Sequence, residues 1–153
     1  MSQLNTRYLR PLLLLVCFAL ASLPTTLFAH SNEDLETITG AHGGKLRMAE
    51  QDHPGHPVSV NIFEMVLANG EVRMWVTDHG GNPQSTSGAT GNVKLITSEG
   101  IVTVELIPGD ENTLIGKDSK VNYGASVKVI ATITMNGQKP LQTRFAFDAT
   151  TKK

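Results

Sequence analysis

The chain has 153 residues, with 13 Lys and Arg against 14 Asp and Glu, a formal net charge of −1. That length suits one domain once a targeting segment is set aside. No basic stripe stands out, so nucleic acid is not an expected partner. Cys17 is the only cysteine, which excludes an intramolecular disulfide framework and a multi-thiolate metal site.

Residues 1–29 carry the marks of a signal peptide. Arg7 and Arg10 form a positive start, residues 12–23 form an apolar run, and residues 24–29 form a cleavage region. Cleavage after Ala29 is preferred, although Leu27 is bulky for its place. Ala19-Leu20-Ala21 fits the small-x-small rule and offers cleavage after Ala21 instead. The run is short for a retained membrane anchor, and Val16 is too large to precede a lipid-bearing Cys17. Cleavage after Ala29 lowers the basic count from 13 to 11 against 14 acidic residues, a net charge of −3. The exported chain then has no cysteine, which points to a bacterial periplasm and to no membrane contact after cleavage.

Residues 30–57 read as a polar, His-containing, flexible arm broken by Gly40, Gly43-Gly44, Pro54-Gly55 and Pro57. Ser31-Asn32-Glu33-Asp34 suits a short helical turn, and Lys45-Leu46-Arg47-Met48 suits a brief edge strand. Residues 58–149 read as the folded domain. Asn69-Gly70 predicts a two-residue type I′ hairpin turn, because both central positions need positive φ. That turn pairs Ala68 with Glu71, Leu67 with Val72, Met65 with Met74 and Phe63 with Val76. The period of two then places Phe63, Met65, Leu67, Val72, Met74 and Val76 on a core face. Ile62, Glu64, Val66, Arg73, Trp75 and Thr77 share the other face, with Trp75 exposed or packed under the arm.

Residues 92–97 and 101–107 predict two strands around a three-residue loop, Ser98-Glu99-Gly100. A short extended piece follows at 112–115. Residues 126–135 alternate, with Val127, Val129, Ala131 and Ile133 on one face. Residues 141–147 give the last strand, with Leu141, Phe145 and Phe147 inside. About seven short strands without a sustained helical period predict an all-β fold, an antiparallel immunoglobulin-like β-sandwich.

All five histidines, His30, His42, His53, His56 and His79, fall in the first part of the chain, and none follows position 79. Neutral imidazole is the commonest metal ligand. His53-Pro54-Gly55-His56 sets two imidazoles three residues apart on a stiff turn. His79 ends a strand beside Asp78, and His42 precedes flexible Gly43-Gly44. His53, His56 and His79 are therefore the candidate ligands of a transition-metal cation, copper or zinc, with His42 and Asp78 as a fourth ligand or as orienting groups. A chain starting at His30 would add an amine–imidazole chelate suited to Cu(II). Solvated surface histidines are the ordinary alternative. Met65 and Met74 fall on the core face, where Met fills gaps rather than binding ions. No nucleophile–base–orienter set is present, so the chain is not expected to be an enzyme.

His42-Gly43-Gly44-Lys45, Phe63-Glu64-Met65-Val66, Asn69-Gly70-Glu71-Val72-Arg73, Val76-Thr77-Asp78-His79-Gly80-Gly81-Asn82-Pro83 and Gly88-Ala89-Thr90-Gly91 follow one another along the chain. Over residues 42–147 this pattern resembles small periplasmic proteins and N-terminal modules that accompany heavy-metal efflux systems of the resistance-nodulation-division type, including adaptor subunits. The resemblance implies a periplasmic role in handling copper, zinc or a related cation, with an efflux adaptor as partner. Members of that group often carry a His ahead of the Phe-Glu pair, where this chain has Ile62. The hairpin and barrel domains of a full adaptor are not in this sequence. The alternative expectation is a metal-free interaction module that docks a periplasmic protein through an edge strand or the Trp75 face.

Overall fold

A computed structural model describes residues 32–49, 61–68, 70–121 and 126–149. Residues 1–29, His30, His53 and His56, with the expectations attached to them, lie outside the described residues, as does Asn69. The described chain is all-β apart from one short helix, α1 (Asn32–Glu36). Its strands are β1 (Lys45–Met48), β2 (Ile62–Ala68), β3 (Glu71–Thr77), β4 (Thr90–Thr97), β5 (Gly100–Pro108), β6 (Thr113–Lys117), β7 (Val127–Thr134) and β8 (Leu141–Phe147).

The β2–β3 register follows the hairpin argument pair by pair, from Ala68 opposite Glu71 to Phe63 opposite Val76. Gly70 has φ +79°, as the turn requires. Phe63, Met65, Leu67, Val72, Met74 and Val76 are all buried. From β7 and β8, Val127, Val129, Ala131, Ile133, Leu141, Phe145 and Phe147 join the same apolar cluster. Burial of these alternating side chains is the main force holding the sheet closed around its core.

All eight strands are antiparallel, in the order β1-β2-β3-β6-β5-β4-β7-β8. Strand β5 serves two neighbours. Gly100 to Leu106 pair with β4, and Ile107 and Pro108 pair with β6. The sheet therefore turns back on itself and nearly closes. The β4–β5 loop is shorter than expected: Thr97 pairs with Gly100, leaving only Ser98-Glu99 between the strands. Thr97 Oγ1 explains it, accepting from the Glu99 amide and donating to the Gly100 carbonyl, both at 3.2 Å.

The arm contributes more than a passing contact. Strand β1 pairs with β2 along its whole length and brings one end of the sheet beside the other end, β8. Side chains bridge the seam: Lys45 Nζ donates to the Ala146 carbonyl at 2.6 Å, and Thr143 Oγ1 donates to the Met48 carbonyl at 3.1 Å. Inward-pointing Lys45 and Arg47 also guard an edge against pairing with other chains. Helix α1 lies against β1 through buried Leu35 and an Arg47–Glu36 ion pair at 2.6 Å. The Asn32 side chain accepts from the Met48 amide at 2.8 Å.

Candidate functional site

Glu64 sits on the outer face of β2, opposite Trp75 of β3. A carboxylate in the middle of an apolar strand needs partners if it is covered, and its side chain is only 7% exposed. The loop of residues 40–44 both covers it and satisfies it. Glu64 Oε1 accepts from the His42 amide at 2.7 Å and from the Gly44 amide at 2.8 Å, and Oε2 meets His42 Nδ1 at 2.9 Å.

The loop can close this tightly because its ends are glycine. It is drawn together by Gly40 N–H donating to the Gly44 carbonyl at 2.9 Å and by a bridge between Thr39 and Lys45. A Cβ on Gly40 would run into the Glu64 carboxyl group, and one on Gly44 would lie 2.7 Å from the Met65 carbonyl oxygen. Sequence and local geometry thus fit around one carboxylate.

The His42 ring is fixed a second time, by stacking on Trp75 at 4.0 Å between centroids with the planes 2° apart. Trp75 is therefore packed under the arm. In a neutral imidazole, a carboxylate opposite Nδ1 favours the tautomer with the proton on Nδ1 and the lone pair on Nε2. The His42 side chain is 45% exposed. Nearby, Arg73 lies 5.9 Å from the Trp75 ring centroid and pairs with Glu71 at 2.8 Å.

Asp78 and His79 lie in the loop after β3. Asp78 Oδ1 accepts from the Gly80 amide at 2.8 Å and the Asn82 amide at 2.9 Å, and Oδ2 accepts from Asn82 Nδ2 at 2.9 Å. Hydrogen bonds from the Asn82 side chain and backbone, with a smaller one from Gly80, hold the Asp78 carboxyl below its ordinary range. Its oxygens staple the loop. His79 is exposed at the loop tip.

His42 is therefore held over the β2–β3 face, while Asp78 and His79 are carried by the β3 loop; His53 and His56 are not among the described residues. Among the described residues, no group of three or more His, Cys, Asp or Glu side chains is placed to hold a metal ion. The segment carrying His53 and His56 leaves after Ala49 and returns at Asn61, and the Ala49 amide donates to the Asn61 carbonyl at 3.2 Å. That junction adjoins the Ile62–Thr77 pair, from which Asp78 and His79 continue.

Sequence reasoning missed the part played by Glu64, and gave the packing of Trp75 under the arm as one of two alternatives. The signal was available: the register puts Glu64 opposite Trp75, and a Glu flanked by Phe63 and Met65 in a strand calls for donors. No family model, curated protein or solved structure matches this chain.

Proposed function

We propose that this chain is a periplasmic binding protein for a transition-metal cation of the copper or zinc class, accessory to heavy-metal efflux. Its sheet is then an immunoglobulin-like sandwich whose two halves share β5. One observation carries the reading: His42 is pre-oriented by a carboxylate on Nδ1, the arrangement that metal-binding histidines use to fix tautomer and ring direction before Nε2 meets the ion. Pinning by Glu64 and Trp75 removes the rotational freedom that ligation would otherwise cost.

The candidate ligands that complete the ion's coordination are His53, His56 and His79; of the residues flanking positions 50–60, Ala49 and Asn61 meet beside the Ile62–Thr77 pair that leads to His79. The resemblance of residues 42–147 to modules of heavy-metal efflux systems supports the location and an adaptor as partner. A metal-free docking module draws less support. His42 covers Trp75, and the β1 and β8 edges engage each other through Lys45 and Thr143.

Thermal melting with Zn(II) and Cu(II) tests the proposal. An ion present at one hundred times its dissociation constant stabilises the fold by about 2.7 kcal/mol, a rise of roughly 5–11 °C for a domain of this size. Paired His53→Ala and His56→Ala substitutions should reduce that rise, and His42→Ala should do so independently. Unchanged melting with both ions would sink the reading.

A further inference from the structure

Strands β4, β7 and β8 contain no acidic residue, in a chain that has 14. Their outward positions carry Lys94, Lys128 and Arg144, all exposed, among half-buried Ile96 and Ile130. The register sets these side chains in two neighbouring rows, Ile96, Lys128 and Ala146 in one and Lys94, Ile130 and Arg144 in the next. Each isoleucine is thus bordered by a cation. Lys128 and Arg144 are diagonal neighbours across β7 and β8, about 7–8 Å apart at the backbone, so both can reach one anion.

Helix α1 and strand β1 turn part of this face into a groove of about 410 Å³, with Glu36 and Arg47 bordering the same space as Ile96, Lys128, Ile130 and Arg144. That volume lies in the range of small-ligand sites. Arg47 distinguishes it from an ordinary solvated basic face. Its side chain is only 9% exposed, so its five N–H donors depend on neighbours rather than on bulk water. Two bonds engage them: Nη2 donates to Glu36 Oε1 at 2.6 Å, and Nη1 donates to the Leu46 carbonyl at 2.9 Å. A buried guanidinium therefore borders the groove with donors to spare. Glu36 is the one carboxylate of the lining, and its side chain is 62% exposed. Three cations face one anion there.

We infer that this groove binds a small amphipathic carboxylate, with its head among Arg47, Lys128 and Arg144 and its aliphatic tail over Ile96 and Ile130. The planar guanidinium fork suits a carboxylate, and Glu36 already makes that pairing with Arg47. Because Glu36 takes part of the fork, it competes with the ligand's head. None of the candidate ion ligands borders the groove, so its ligand and the ion are independent of each other.

Titration of the whole chain with octanoate, followed through backbone amide resonances, tests this. Saturable shifts should gather at Ile96, Lys128, Ile130, Arg144 and Ala146. Acetate lacks the tail and octanol lacks the charge, so each should bind about tenfold or more weakly than octanoate. Lys128→Gln combined with Arg144→Gln alters only exposed positions and should weaken octanoate by about tenfold or more. Glu36→Gln should strengthen it several-fold by releasing the Arg47 fork. Absence of saturable shifts with octanoate would overturn the inference, as would equal binding of octanol or undiminished binding by the double variant. An acetylated Leu-Glu-Leu-Glu peptide amide that binds at the same amides more tightly than octanoate would overturn the small-ligand assignment in favour of a protein segment.

Discussion

Replacing Glu64 by glutamine changes one atom and should be felt in two places. The carboxylate accepts three hydrogen bonds, from the His42 and Gly44 amides and from His42 Nδ1. A hydrogen bond to a charged group contributes about 1.5–3 kcal/mol, against about 0.5–1.5 for a neutral pair. In Glu64→Gln the side-chain carbonyl still accepts from both amides, at neutral strength. The new amide NH₂ then faces Nδ1, which must become the acceptor, so the ring proton moves to Nε2. The three contacts lose roughly 3–4.5 kcal/mol, and roughly 2–3 once the half-exposed imidazole contact is discounted for screening. Urea unfolding measures the loss, and nitrogen chemical shifts of His42 report the tautomer. A stability change under roughly 0.5 kcal/mol, with the proton still on Nδ1, would refute the account of Glu64 as the group that orders this loop.

Gly44→Ala should destabilise the fold by about 1–3 kcal/mol, the usual cost of overpacking, because its Cβ meets the Met65 carbonyl at 2.7 Å; urea unfolding of the variant checks it. Asp78, held below its ordinary range by Asn82, should support its loop fully above about pH 3.9 and lose that support as the pH falls through its depressed value. Side-chain NMR titration should find Asp78 below an ordinary aspartate, and a value at or above it would contradict the stapled loop. Asn61 Nδ2 is buried without a hydrogen-bond partner among the described residues. Asn61→Leu should accordingly be neutral or stabilising, since an orphaned buried donor costs about 1–3 kcal/mol; a clear fall in melting temperature would show that the amide has work to do.

The strands were legible because each has a local signature. Asn69-Gly70 fixed the β2–β3 register to the residue, and the alternation in β7 and β8 named their buried faces. The β4–β5 loop was misjudged by one residue because Thr97 uses its hydroxyl to extend the pairing, a choice that glycine placement does not reveal. The candidate site was legible only in outline. His42 was visible as a histidine beside two glycines, but its ordering depends on Glu64 of a strand 22 residues away. Which of several histidines a buried carboxylate will hold is settled by loop docking, and no local periodicity encodes it. The seam between β1 and β8 was equally hidden, since Lys45 and Thr143 meet their partners across most of the chain.

The seam has a dynamic consequence. Residues 32–49 are tied to the rest of the molecule by one four-residue ladder, a few side-chain bonds to β8 and the Glu64 loop. No continuous backbone ladder joins β1 to β8, so this stretch can lift away as a cooperative unit without unzipping the other seven strands. Its amides should exchange with solvent sooner than those of β3 or β7, at a free energy below that of global unfolding. Each such opening would unpair the β2 edge, remove the side-chain cover of β8, uncover Trp75 and free His42 together. Whatever holds His42 in place therefore also sets how often this protein exposes an unpaired strand.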